Sequence, residues 1–372
     1  VALKLLRLVP VLFLVTLATF FLLELVPGDP VLSILGADAQ PEDYERIREA
    51  LNLDAPFLER YFDWLGGVLT GDLGEQLTRQ GFSVTEGIQQ AFPVTLQVAA
   101  VAMAISLIVS IPLGVYASYH SGRPFDKFSS GSAFAIISVP SFLAGLLLIF
   151  FFVFNPDFLR YPFLALGLAW ALWLCYRWYQ KTSEQATDDS SLWLILAGLL
   201  VAGLTLWIFT AWPSFDRQGF ARITSDEGIR ENLRDTFLPA LTVALTEIAV
   251  FMRLLRSDMM ATLQEDFILA SRAKGLSTRR ILFRHALRPS SFSLITLSGV
   301  AFGRLIGGTV IVETIFRLRG MGSFIVTDGV NKSDYTVVQG GVLVLATVYV
   351  LLNTTVDIAY NYLDPRIRRG RR

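Results

Sequence analysis

The sequence predicts an all-α polytopic membrane protein, with six core spans and an inserted two-helix hairpin where two further apolar runs allow one. Three observations carry that reading. Hydrophobic residues make up 53% of the chain and charged ones only 17%, with a mean hydropathy of +0.52, which excludes an ordinary soluble domain. Apolar runs long enough to cross a bilayer recur from end to end. The charges sum to zero, so nothing in their balance points to a nucleic-acid partner, but they are sorted, with bases gathered in alternate connections.

A spanning helix needs roughly 20 mostly apolar residues, and six segments meet this, at about 8–26, 94–118, 132–154, 236–255, 291–312 and 338–361. Lys4 and Arg7 ahead of the first run resemble the start of a secretory leader, but the run is long for one and no small-residue cleavage site follows. It reads as a retained first span over 1–26. Two further runs, at about 163–177 and 191–212, are weaker candidates; the first ends in Tyr176, Arg177, Trp178 and Tyr179, an interfacial composition.

Bases set the orientation. Lys4 and Arg7, the short 119–131 connection with Arg123 and Lys127, the 265–289 stretch and the tail with Arg366, Arg368, Arg369, Arg371 and Arg372 all belong on the cytoplasmic side. The acid-rich 27–93 segment then lies outside. Six spans satisfy this, and adding the two weaker runs as a pair keeps the parity. The outer segment is patterned: Pro41 opens an amphipathic helix with acids in its first turn, and a second helix follows and ends in glycines. It reads as a small helical cap. The remainder, 94–372, forms the core, with an insertion at about 155–235 and a cytoplasmic loop over 256–290.

That loop is the most informative stretch. Between Glu265 and Pro289 it carries Arg272, Lys274, Arg279, Arg280, Arg284 and Arg288 against only Glu265 and Asp266. Apolar residues recur at helical spacing up to Lys274, Gly275 interrupts, and Ile281, Leu282, His285 and Ala286 resume the pattern. Two short amphipathic helices joined at a glycine, held at the membrane face, would suit docking of a soluble protein.

Catalytic signatures are missing. No Gly-x4-Gly-Lys-Ser/Thr loop occurs, so the chain does not hydrolyse nucleotides in the P-loop manner. His120 and His285 lack metal-ligand spacing, and the single cysteine, Cys175, sits in an apolar run as a packing residue; no metal site is expected. Among ionisable residues in or beside spans, Glu24, Glu313 and Asp357 lie near span ends and read as interfacial anchors. Glu247 and Arg304 lie deeper, where charge is costly, and either face a pathway or pair with each other. Gly299, Gly303, Gly307 and Gly308 place a smooth stripe on one helix, suited to close packing against another span.

The basic loop also carries a resemblance. Asp266-Phe267, then SRAKGL at 271–276 and RRILFRHALRP at 279–289, resemble the coupling loop of ATP-binding-cassette importer permeases, in particular the dipeptide/oligopeptide/nickel permease family. LVPGDP at 25–30, FPVTLQVA at 92–99, IPLGVYAS at 111–118, VPSFLAGLLL at 139–148, LPALTVAL at 238–245, the 312–340 stretch and LDPRIR at 363–368 match in order and spacing over most of the chain. Departures fall at Leu269, Ala270 and Ser271, where the family has Glu-Ala-Ala, at the 155–235 insertion, and at Arg304, where the family has an uncharged residue.

The resemblance implies a type I importer fold and a non-catalytic peptide permease of the bacterial inner membrane, with both termini cytoplasmic. It implies a second homologous permease subunit, two ATP-binding subunits that hold ATP and Mg, and an external substrate-binding protein that meets the 27–93 cap. The coupling residues it marks are Glu265, Asp266, Ala270, Ser271, Arg272, Ala273, Lys274, Gly275, Leu276, Arg279, Arg280, Arg284, His285 and Leu287. Two other classes compete. A self-contained secondary transporter or channel predicts inverted repeats, of which none is convincing. A membrane-embedded enzyme needs clustered His, Asp or Glu in spans, and these are scarce.

Overall fold

The computed structural model describes residues 2–24, 30–35, 40–79, 81–183, 192–212, 215 and 228–363. The arginine tail and the side chains of Lys4, Arg7, Glu24 and Asp357 lie outside what it describes. Every regular element among the described residues is helical, and the chain divides into two units, Val1–Phe142 with Phe220–Arg372, and Leu143–Gly219.

In the first unit, α1 (Ala2–Glu24) is followed by a short α2 (Pro30–Leu35), then α3 (Pro41–Ala50) and α4 (Phe57–Thr70). Pro41 opens α3, as its fixed φ favours, and Gly71 ends α4 in the left-handed region at φ 86°. Aromatic rings join α1 to α4: Phe20 lies edge-on to Tyr61 at 5.5 Å, and the Tyr61 and Thr16 hydroxyls share a hydrogen bond of 2.8 Å.

The next span, α5 (Val84–Tyr119), starts well before the expected boundary at residue 93. Pro93, one residue before the expected span, sits inside this helix, where packed neighbours tolerate a missing backbone donor. The long α10 (Gly228–Thr262) runs against α5 as the main axis of the unit. Gly114 permits their approach; a Cβ there would lie 3.1 Å from the Met252 carbonyl oxygen. After α10 come α11 (Asp266–Ala273), α12 (Thr278–Arg280), a π-helical stretch Ile281–Ala286 and α13 (Leu287–Gly308). Beyond these lie α14 (Val310–Phe316), α15 (Met321–Ser323) with its π-helical continuation Phe324–Gly329, and the last span, α16 (Tyr335–Leu363).

The third apolar run departs from expectation. In place of one continuous span over 132–154, α6 (Pro124–Ser138) stops, Val139 is extended at ψ 120°, and α7 (Ser141–Ile149) begins beyond Pro140. Proline disfavours helical geometry in the residue before it, and the uniformly apolar flanks conceal the break.

In the second unit, α8 (Pro156–Ser183) and α9 (Leu192–Thr210) pack together as a hairpin. Gly198 meets the Cys175 sulfur, to which a Cβ would come within 2.9 Å, so the cysteine packs between the two helices. Trp170, Leu172, Leu199 and Trp207 remain more than half exposed. By length and composition the described helices supply five spans, or six when the broken pair α6 and α7 counts as one, with the apolar stretches of α1 and α9 shorter.

Candidate functional site

The 265–289 stretch is held by its own apolar residues. Glu265 is extended ahead of α11, and the helix ends where Gly275 turns left-handed at φ 73°. The Gly275 amide donates to the Arg272 carbonyl at 2.9 Å and the Leu276 amide to the Ser271 carbonyl at 3.3 Å, the paired bonds of a glycine-terminated helix end. Gly275 is thus required by backbone geometry. The expected second short helix is not separate. The chain is helical from Thr278 to Gly308 without a break, with the wide π turn of 281–286 lying just before Pro289. Such a turn accommodates a proline that can neither donate nor fit closely behind the preceding carbonyls.

One face of this element is sealed. Ile268, Ile281, Leu282 and Ala286 are buried with Val115 of α5, Phe251, Leu255 and Met259 of α10 and Leu294 of α13, and Leu276 and Leu287 pack against the same cluster. Ser271 is buried, its hydroxyl donating to the Phe267 carbonyl at 2.7 Å. The Thr262 and Ser290 hydroxyls share a bond of 2.8 Å that ties the end of α10 to α13. The other face is open. Phe267, Leu269 and Phe283 are exposed, together with Glu265, Asp266, Ala270, Arg272, Ala273, Lys274, Arg279, Arg280 and Arg284. Among the described residues none of those bases pairs with a carboxylate. His285 is half-buried, with Nε2 enclosed and lacking a hydrogen-bond partner among the described residues.

Between α6 and α10 lies an ion pair that charge counting missed. Asp126, in the first turn of α6, is 3% exposed. Arg256 of α10 donates through Nη2 to its Oδ2 at 2.8 Å and through Nε to Oδ1, and the Gly122 amide donates to Oδ2 at 2.8 Å. Sequence reasoning used this connection only for topology. The available signal was Pro124 followed by Asp126, a helix-start pair, though nothing local named Arg256 as the partner.

Within the spans, Arg304 donates through Nη2 to Glu247 Oε1 at 2.8 Å, with the Glu247 side chain 5% exposed and that of Arg304 58% exposed. The glycine stripe divides. A Cβ at Gly299 would lie 2.6 Å from Val356, and one at Gly303 3.2 Å from Tyr349, so these two seat α16 against α13. A Cβ at Gly307 or Gly308 would meet no other described residue within 4 Å, and the seam stops short of them.

Glu313 is no interfacial anchor. It is completely buried. Its Oε1 accepts from the Thr95 hydroxyl at 2.7 Å and the Thr309 hydroxyl at 2.9 Å, while Oε2 accepts from the amides of Gly322 at 2.8 Å and Ser323 at 3.2 Å. The carboxylate caps the helical run that starts at Met321, where negative charge is favoured, and joins it to α5 and α14. Gly320 leaves room for that carboxylate; a Cβ there would collide with it. A span-end position alone does not distinguish such a residue from an anchor.

The comparisons with known proteins agree with this architecture. Residues 110–369 match the family described as the binding-protein-dependent transport system inner membrane component, and residues 2–99 match the N-terminal part of such membrane components. The chain is 33% identical over 371 residues to the di/tripeptide transport system permease protein DppB of Pseudomonas aeruginosa, covering 98% of this chain and 97% of that protein. It is 32% identical over 356 residues to the dipeptide transport system permease protein DppB of Escherichia coli, covering 95% and 94%. A putative peptide transport system permease protein of Brucella abortus is 33% identical over 360 residues, covering 97% and 96%. With a family match across both ends of the chain, and relatives aligned over nearly their whole lengths, this protein belongs to the inner membrane components of binding-protein-dependent transport systems, the permeases of ATP-binding-cassette importers.

Proposed function

We propose that this chain is the transmembrane permease subunit of an ATP-driven importer that moves di- or oligopeptides across the bacterial inner membrane by alternating access. Peptides as cargo follow from the relatives named for peptide and dipeptide transport. The observation that carries the mechanism is the two-faced 265–289 element: its inner residues belong to the apolar core of α5, α10 and α13, and its outer residues are bare. A push on Phe267, Leu269 or Phe283 therefore reaches the spans through close-packed side chains, which transmit displacement with little give. Exposed apolar residues ringed by bases suit a groove on a soluble ATPase with an acidic rim.

In this reading the protein contributes one half of the pathway. A homologous permease supplies the other half, two ATPases bind ATP and Mg, and an external binding protein delivers cargo to the 27–93 cap. Both termini lie in the cytoplasm. The hairpin of α8 and α9 faces lipid as an addition to the core, which its exposed Trp170, Leu172, Leu199 and Trp207 favour. The test is a detergent pull-down from the native membrane, comparing wild type with a Gly275→Pro, Arg279→Glu, Arg280→Glu variant. Wild type should bring ATPase subunits and ATPase activity, and the variant should lose both. If wild type brings no nucleotide-hydrolysing partner, a self-contained transporter replaces this reading.

A further inference from the structure

We infer that Arg304 is an anion-binding station in the translocation pathway that receives a carboxylate of the cargo in transit, with Glu247 as the residue that positions it. The inference deepens the importer reading and rests on it. Three observations converge. Arg304 lies in a span, four residues before α13 ends at Gly308. A guanidinium there is too costly to leave against lipid and belongs on a wet or protein-facing surface. Its side chain is nevertheless 58% exposed, and one bond, from Nη2 to Glu247 Oε1 at 2.8 Å, is its only ion pair among the described residues. The remaining donors of the planar fork stay available, in the geometry that suits a carboxylate.

The surroundings of Arg304 differ from a lipid face. Along the same exposed side of α13 stand Val300, Gly307 and Gly308, and a Cβ on either glycine would meet no other described residue within 4 Å. The bulkier exposed residues of the helix, Phe292 and Ile295, lie nine or more residues before Arg304, toward the start of α13. A lining of one valine and two glycines around one tethered cation leaves space for a solute and gives it a charge to find. Glu247 keeps the site from being a trap. Its single bond holds the guanidinium in place and offsets part of its charge, so that an arriving carboxylate is drawn in but not retained. Weak binding of this kind is what conduction requires.

The experiment uses the complete transporter, reconstituted in proteoliposomes with its binding protein. A Gly308→Cys reporter is introduced one turn from Arg304 in a Cys175→Ser background. The reporter is then labelled with water-borne methanethiosulfonates, one carrying a sulfonate and one a trimethylammonium, during turnover. Arg304 should make the sulfonate react faster than the ammonium, and Arg304→Gln should lower that ratio about ten-fold, while Arg304→Lys, which keeps the charge, should preserve it. In parallel, Arg304→Gln should reduce uptake of Ala-Asp relative to Ala-Lys by several-fold. If neither reagent reaches the thiol, or if the labelling ratio and the uptake ratio are both unchanged by Arg304→Gln, the station does not exist. If wild type takes up neither peptide, the importer reading of cargo fails first. Wild-type uptake with unaltered ratios sinks the Arg304 inference alone.

Discussion

The Glu313 carboxylate and the Thr95 hydroxyl meet at 2.7 Å although 218 residues separate them in sequence. Thr95 in turn accepts from the Met321 amide at 2.8 Å. The start of the α15 segment is therefore fixed from two sides, by α5 and by α14. Replacing Glu313 with Ala leaves the Gly322 and Ser323 amides and the Thr95 hydroxyl without their acceptor, while the Thr309 hydroxyl keeps the Ile306 carbonyl at 3.2 Å. Each unsatisfied buried donor costs about 1–3 kcal/mol, so the loss should reach at least about 3 kcal/mol. Glu313→Gln should be milder: its amide oxygen serves the Gly322 and Ser323 amides, and its amino group turns to the two hydroxyls, which accept as well as donate. Thermal unfolding in detergent should rank wild type, Gln and Ala in that order. Equal midpoints for Ala and wild type would show that the network contributes nothing.

The bond between Asp126 and Arg256 invites a double-mutant cycle. Arg256→Gln strands a nearly enclosed carboxylate, which should cost about 3–5 kcal/mol. Combining it with Asp126→Asn removes the charge that the first change left behind, and the Asn oxygen keeps the Gly122 amide bond. The double variant should be more stable than Arg256→Gln alone, with a coupling of at least about 1 kcal/mol. Additive losses would mean that the two side chains act independently.

What could be read in advance follows from the range of each interaction. Pro41 at the start of α3, Gly71 at the end of α4 and Gly275 after α11 act on their own backbone, and each marks a boundary that is seen. Pro93 and Pro140 look alike locally but behave differently: the first sits within a helix that continues and the second separates two. The difference lies in the neighbours each helix packs against, as one sequence does not reveal. The basic loop was legible because amphipathic spacing and charge are local properties. Glu313 and Asp126 were not, since Thr95 and Arg256 are brought to them only by the packing of α5 and α10.

The divided glycine stripe gives a third prediction. A methyl group at Gly299 must displace Val356, and at Gly303 it presses on Tyr349, whereas Gly307 has open space around it. Gly299→Ala should destabilise by about 1–3 kcal/mol through overpacking. Gly307→Ala should be neutral or stabilising by up to about 1 kcal/mol, because alanine is the better helix former. Thermal midpoints of the two variants decide it. A larger loss at Gly307 than at Gly299 would place the packing seam elsewhere on α13.

Asp334 offers the sharpest test of how the stretch leading into α5 is attached to α16. It is fully buried. Its Oδ2 accepts from the Thr78 amide and the Thr78 hydroxyl, both at 2.9 Å, and its Oδ1 accepts from the Thr336 hydroxyl at 2.8 Å and the Val337 amide at 3.3 Å. One carboxylate thus caps α16 and anchors the chain leading into α5. Asp334→Ala should lose both functions: a cap is worth about 1 kcal/mol, and trypsin should cleave faster after Arg79, whose neighbour is released. Thr78→Val separates the two. It removes only the hydroxyl bond and leaves the α16 cap untouched, so cleavage after Arg79 should quicken while the thermal midpoint stays near that of wild type. Because local opening and global unfolding are distinct equilibria, the two readouts are independent. If Thr78→Val leaves cleavage unchanged and Asp334→Ala accelerates it only in step with global unfolding, the stretch leading into α5 is held by its apolar contacts and not by Asp334.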